Sequence, residues 1–200
     1  SDLTSEFPDW TVEKISSKTG IRSRHIAGKD QFSSDLAIQA AERLFIDHKI
    51  DRSTIEYVIL CTQSPDYYLP STSCLVQHRL GLNTDIGTTD ITLGCSGYVY
   101  ALGLAKGLIE SNQVANVLVL TADTYSKFLN PADRSVRTIF GDGATATLVS
   151  NEGSDTSISS FVYGTDGSGA GNLIVPHGGL RDGTALNPRS DVGNRALEAS

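Results

Sequence analysis

Leu93-Gly94-Cys95-Ser96-Gly97 joins an apolar stretch to a long run of small and apolar residues, and it carries the side chain best suited to covalent chemistry. A cysteine at a strand-to-helix junction lies among the N–H groups of a helix N-terminus. Their partial positive charge favours the thiolate and lowers a thiol's pKa from ~8.5 toward ~3.5–7.5. Such a thiolate is a nucleophile near neutral pH. Gly94 and Gly97 let the backbone turn tightly and let a carbonyl approach, and the N–H groups of the turn around Ser96 can hold an oxyanion. The plainer alternative makes Cys95 a small buried hydrophobe, the common fate of a free cysteine. Its Gly-Cys-Ser-Gly setting argues against that. Cys61, inside an apolar run, and Cys74, on a helix face with Leu75 and Leu80, lack this setting and read as structural.

Other chemistries find less support. The three cysteines show no C-x-x-C spacing and no nearby histidine pair, which argues against a zinc site, and an odd number does not make a disulfide framework. Asp142, between Gly141 and Gly143, is a single carboxylate that cannot fill a coordination shell, so this triplet reads as a tight turn before a strand and no metal site is expected. Gly164–Gly171 holds four glycines in eight residues, but no Lys-Ser/Thr follows, so the requirements of a phosphate-binding loop fail. His25, His48, His78 and His177 read as structural or solvated.

The elements that must position Cys95 follow from periodicity. Ser33-Ser34 before Leu36, Ala37, Ala40, Ala41, Leu44 and Phe45 predict a helix with a serine cap. Tyr57–Cys61 is a continuous apolar run of strand length, expected where a parallel sheet is covered on both faces. Pro70-Ser71 open a second helix through Leu75, Val76 and Leu80 that stops at Gly81. A strand is predicted from about Gly87 to Leu93, and a helix from Ser96 to about Ser111 with so little polar surface that burial nearly all round is expected. Val117–Leu120 and Ala144–Val149 complete an alternation of strands and helices, the pattern of an α/β fold. Beyond Ser157 the signal weakens. Ile158, Phe161 and Val162 suggest one strand, Leu173–Val175 a shorter one, and the last twenty-five residues read as loop.

The 200 residues are 39% hydrophobic, enough for one substantial core. A net charge of −7 without a Lys/Arg cluster makes nucleic acid an unlikely partner. The apolar runs fall far short of the ~20 residues that span a bilayer, and the first residues are polar and acidic, so a soluble cytoplasmic protein with no membrane association is expected. Methionine is absent, from which the chain is expected to begin inside a longer protein.

Five segments together are specific. Lys18-Thr19-Gly20-Ile21-Arg22-Ser23-Arg24-His25-Ile26, Pro70-Ser71-Thr72, the Cys95 segment through Ala101-Leu102, Pro131-Ala132-Asp133-Arg134 and Ile139-Phe140-Gly141-Asp142-Gly143-Ala144 follow the order and rough spacing of the β-ketoacyl-acyl-carrier-protein synthase III family. The chain resembles the N-terminal half of that family, continuously over residues 1–150 and more loosely over 151–200. The resemblance implies a thiolase-like α/β fold of layered helices and sheets. Residues 1–150 would form the half-domain carrying the nucleophile, and 151–200 a strand and loop segment leading toward a second half.

It also implies that Cys95 accepts an acyl group from acyl-coenzyme A or an acyl-acyl carrier protein, and that malonyl-acyl carrier protein then loses carbon dioxide and attacks the thioester. No permanently bound cofactor is implied; acyl-coenzyme A is a substrate. The family's His and Asn partners fall in the second half, so the 200-residue chain alone is expected to be inactive. Thr19 matches a position near the pantetheine entrance, Lys18 stands where an Arg is usual, and Arg134 matches an Arg that lies against adenine. Lys14 replaces the Trp on adenine's other side, with Trp10 about one helical turn earlier. That weakens coenzyme A as donor relative to carrier protein. Leu69 matches a residue that reaches into the acyl pocket of a homodimer partner. Two alternatives accompany condensation: acyl transfer to an oxygen or nitrogen acceptor, and a non-catalytic subunit of a heterodimer. Retention of Cys95 with both glycines disfavours the latter.

Overall fold

The computed structural model describes residues 3–152 and 158–175, with Gly179 and Arg181. Two short helices, α1 (Leu3–Glu6) and α2 (Val12–Thr19), precede the longer α3 (Ser33–His48). There follow β1 (Tyr57–Cys61), α4 (Thr72–Arg79), β2 (Gly87–Ile91), α5 (Gly97–Glu110), β3 (Asn116–Thr124), the one-turn α6 (Arg134–Arg137) and β4 (Asp142–Ser150).

The strands form one sheet in the order β2-β1-β3-β4. β1 is parallel to both β2 and β3, with Ile59 opposite Thr89 on one side and Val119 on the other. The sheet is mixed rather than wholly parallel, because β4 runs antiparallel to β3 from Asn116↔Ser150 to Thr124↔Asp142. An antiparallel edge strand needs no helical crossover, and Tyr125 to Gly141 supply the connection instead.

Side-chain alternation explains why β1 and β3 are continuous apolar runs. Val58, Leu60, Leu118, Leu120 and Ala122 pack on one face with Ala37, Ala41 and Phe45 of α3, Val76 of α4 and Leu80 at the cap of α4. Ile59, Val117 and Val119 pack on the other face with Ala101 and Ala105 of α5. The path β1-α4-β2 steps one way along the sheet and β2-α5-β3 steps back past β1, so right-handed crossovers place α4 and α5 on opposite faces.

Several local expectations change. The cap of α3 is Phe32, whose N–H donates to Asp35 Oδ2 at 2.8 Å, rather than a serine. Ser33 and Ser34 lie in the first turn with fully buried side chains turned to Ser64 Oγ (2.7 Å) and Asp66 Oδ2 (2.6 Å). Long-range polar partners outcompete the local cap. β2 ends at Ile91, two residues before Leu93, where the chain leaves the ladder to turn at Gly94. α5 is buried on one stripe only: Ala101 and Ala105 are inaccessible while Tyr98, Val99 and Leu104 are exposed, since it is the sole helix packed on its face of the sheet among the described residues.

Residues Ser1–Ser160 form one compact unit and Phe161–Ser200 a second. In the second, Gly167–Asn172 forms a 3-10 turn and the Phe161 and Tyr163 rings stack at 5.7 Å. The strands expected at 158–162 and 173–175 are absent among the described residues; Val162, Leu173, Ile174 and Val175 are exposed, and no neighbouring strand satisfies their backbone. Most of the expected terminal loop, with His177, lies outside the described residues. Among the described residues, no helix is long and apolar enough to cross a membrane.

Candidate active site at the carboxyl ends of the parallel strands

Parallel strands point their carboxyl ends the same way, so the loops after β1, β2 and β3 converge at one edge of the sheet, the usual ligand-binding edge of open α/β sheets. Cys95 lies there. The Gly97 N–H donates to Gly94 O at 2.8 Å and closes a tight turn with Cys95 and Ser96 at its corners, and Cys95 is exposed. Ser96 starts α5 through its carbonyl, which accepts the Val99 N–H at 3.0 Å, while its hydroxyl makes no capping bond. Its contribution to the turn is backbone.

Gly97 is required by contact more than by dihedral freedom. A Cβ at Gly97 would overlap Cys61 Sγ and stand 3.1 Å from Leu93 Cβ. A Cβ at Gly94 would stand 2.6 Å from Gln63 Oε1 and 3.6 Å from Tyr125 Oη. The turn is therefore wedged between the end of β1 and the segment after β3.

Beneath it lies a polar network absent from the sequence reading. Asp123 Oδ1 accepts from Gln63 N (2.8 Å), Ser64 N (3.1 Å), Ser64 Oγ (2.9 Å) and Thr62 Oγ1 (3.2 Å). Burial pushes the Asp123 carboxyl above its ordinary range, and these hydrogen bonds offset part of that rise. Ser64 Oγ also accepts the Thr124 N–H at 2.8 Å and meets Ser33 Oγ at 2.7 Å, which anchors the start of α3. Tyr125 donates its hydroxyl to Gln63 Oε1, stacks on Phe140 at 5.1 Å and meets Phe128 edge-on at 6.2 Å. Its phenol pKa is raised by burial first, then by Asp123, Cys95 and Cys61. The available signal was a polar run directly after each buried strand: Thr62-Gln63-Ser64 after β1, and Asp123 to Tyr125 at the end of β3.

The other cysteines differ from Cys95. Cys61 is 3% exposed, its thiol donates to Leu93 O at 3.1 Å, and burial pushes its pKa up. Cys74 is exposed beside Thr88 Oγ1 at 3.5 Å rather than packed with Leu75 and Leu80. The Asp142 carboxylate is taken by protein donors, Ala27 N at 2.7 Å, Ser126 N at 2.8 Å and Ser126 Oγ at 2.5 Å. With Arg24 Nη1 donating to Phe140 O at 2.7 Å, Asp142 ties the segment after α2 to the start of β4.

A second group lies around Trp10. A cavity of about 650 Å³ is lined by Trp10, Asn130, Ala132, Asp133 and Arg134. Lys14 Nζ and Lys18 Nζ stand 5.8 and 5.7 Å from the Trp10 ring centroid, and the Arg134 guanidinium lies 5.7 Å from that of Phe7. The Thr19 hydroxyl is engaged locally, donating to Ile15 O at 2.9 Å and accepting from Ile21 N at 3.1 Å. Leu69 follows Tyr67 and Tyr68 in a loop where all three are more than half exposed.

A layered α/β half-fold with a turn-borne cysteine at the carboxyl edge of its parallel strands is that of a thiolase-type protein. The family model "3-Oxoacyl-[acyl-carrier-protein (ACP)] synthase III" matches residues 89–167. A β-ketoacyl-[acyl-carrier-protein] synthase III of Clostridioides difficile is 43% identical over 175 residues, covering 86% of this chain and 52% of the relative. That of Caldanaerobacter subterraneus is 39% identical over 173 residues, covering 86% and 52%. A crystal structure of a 3-oxoacyl-(acyl-carrier-protein) synthase III is 54% identical with a TM-score of 0.87, covering 90% of this chain and 54% of the other. By sequence and by fold the chain is similar to proteins of the β-ketoacyl-acyl-carrier-protein synthase III family, and it spans about half the length of the curated relatives it matches.

Proposed function

We propose that the chain forms part of a cytoplasmic β-ketoacyl synthase III-type acyltransferase in which Cys95 carries the acyl group. The observation that carries this reading is the exposed Cys95 on the Gly94–Gly97 turn at the head of α5, in a chain similar to synthases of this name over most of its length. In the loading step the Cys95 thiolate attacks the carbonyl of an acyl thioester, the new C–S bond forms, and the donor thiol leaves and takes up a proton. In the second step malonyl-acyl carrier protein loses carbon dioxide, its enolate carbon attacks the Cys95 thioester, a C–C bond forms and the Cys95 thiolate departs. The N–H groups at the start of α5 favour the oxyanion of these steps. The product is a 3-oxoacyl carrier of fatty-acid or specialised acyl biosynthesis.

Coenzyme A is a fitting donor despite Lys14. Trp10 and Arg134 line one cavity, giving an aromatic face and a guanidinium for adenine, while Lys14 and Lys18 flank Trp10 with positive charge for phosphates. The exposed Tyr67-Tyr68-Leu69 loop suits a homodimer contact in which Leu69 enters the partner's acyl pocket.

The test is intact-mass spectrometry of the full-length protein and its Cys95→Ala variant after incubation with acetyl-coenzyme A, longer acyl-coenzymes A and acyl-carrier thioesters. One acyl mass added to the wild type alone is expected. No adduct with any thioester overturns the assignment.

A further inference from the structure

An amide stands beside the turn that carries Cys95, and the loading chemistry leaves it unused. The Gln63 side chain occupies the space in front of Gly94, where a Cβ would stand 2.6 Å from Oε1 and 3.3 Å from Cδ. Oε1 accepts the Tyr125 hydroxyl, which leaves Nε2 as the end of the amide that Tyr125 does not engage. Gln63 is exposed, and Nε2 donates to no group among the described residues. The support behind the pair is rigid. Asp123 holds the Gln63 N–H at 2.8 Å, and Tyr125 is stacked on Phe140 with an interplanar angle of 11° and braced by the edge of Phe128. Polar groups fixed this way by a supporting shell keep their direction when a ligand arrives.

We propose that Gln63 and Tyr125 are specificity-determining residues of the acyl site, selecting an acyl group with an oxygen acceptor close to its thioester, of the 3-hydroxyacyl or 3-oxoacyl kind, over the hydrocarbon chain of equal length. The inference rests on Cys95 as the acyl-accepting nucleophile. A hydrocarbon segment seated beside Cys95 strips water from the Gln63 amide and returns no hydrogen bond, whereas an oxygen substituent accepts one. Discrimination on the order of tenfold is expected for one such bond. Tyr125 sets the direction: with its hydroxyl on Oε1, the amide presents its donor end.

The full-length protein is incubated with 3-hydroxybutyryl-coenzyme A or butyryl-coenzyme A, and the rate of adduct formation at Cys95 is read by intact mass. The hydroxyacyl group should load roughly tenfold faster in the wild type. Gln63→Leu should bring the two rates near parity, and Gln63→Met, of nearly the same length, gives the same readout if the branched residue disturbs folding. Tyr125→Phe, which frees the amide to rotate, should reduce the preference by a smaller factor. Equal loading in the wild type, or a preference that neither Gln63 variant changes, overturns the proposal. Absence of any adduct in the folded wild type with these two thioesters and with acetyl-coenzyme A and the acyl-carrier thioesters instead refutes the assignment of Cys95, so the two failures are told apart.

Discussion

Cys61 ends β1, and Cys95 follows the adjacent parallel strand β2, so two thiols lie at the same edge of one sheet. Cys61 remains in the ladder, with its side chain under Gly97 and its thiol donating to Leu93 O at 3.1 Å. It is 3% exposed, and burial raises its pKa. Cys95 has left the ladder onto a turn and is exposed. A buried thiol here forms the floor of the turn while the turn-borne thiol meets solvent, and the first shapes the setting of the second: Cys61 fills the space that obliges position 97 to be glycine.

Exchanging the thiols one at a time sharpens the contrast most. Cys95→Ala should abolish acyl loading with the fold unchanged, while Cys61→Ala should retain loading and lose about 1 kcal/mol for the missing hydrogen bond and contacts. Intact mass and thermal denaturation check the pair. In native alkylation with iodoacetamide, Cys95 should react at least about tenfold faster than Cys61, since the buried thiol is reached only through local opening. Comparable rates would break the distinction between the buried and the turn-borne thiol.

Asp123→Ala removes the acceptor shared by Gln63 N, Ser64 N, Ser64 Oγ and Thr62 Oγ1 and should cost about 3 kcal/mol, with a smaller preference for 3-hydroxybutyryl over butyryl as the Gln63 support loosens. Gly97→Ala should cost about 2 kcal/mol through overlap with the Cys61 sulfur, and Cys61→Gly in the same chain should restore part of it. Additive losses in that double variant would show that the overlap is relieved elsewhere.

The smallest effect concerns pH. An acid whose folded pKa is raised binds more protons folded than unfolded, so its contribution to stability is fullest below the ordinary Asp pKa of about 4. That contribution falls as pH rises toward the raised value. Asp123→Asn should flatten this slope in urea denaturation measured across that window.

Legibility followed the range of the interactions. The β1 run, the Gly81 stop of α4 and the turn at Gly94–Gly97 were readable because each depends on neighbours within a few residues: two-sided burial, a C-terminal glycine, a small-residue elbow. The Ser33-Ser34 cap failed because Ser64 and Asp66, thirty residues away, offered stronger partners. α5 looked buried all round because its composition registers apolar side chains without counting the elements available to cover them. Gln63, Asp123 and Tyr125 are not singled out by local pattern, because each is an ordinary polar residue in its own segment.

From sequence alone came the reactive residue type, its glycine setting, the α/β alternation and the family resemblance, all encoded in local spacing and residue order. Only the tertiary structure decided which residues meet at Cys95. Strand order β2-β1-β3 brings the ends of three separated segments to one edge, and the identity of neighbours across that edge is a property of the pairing, which no single segment contains.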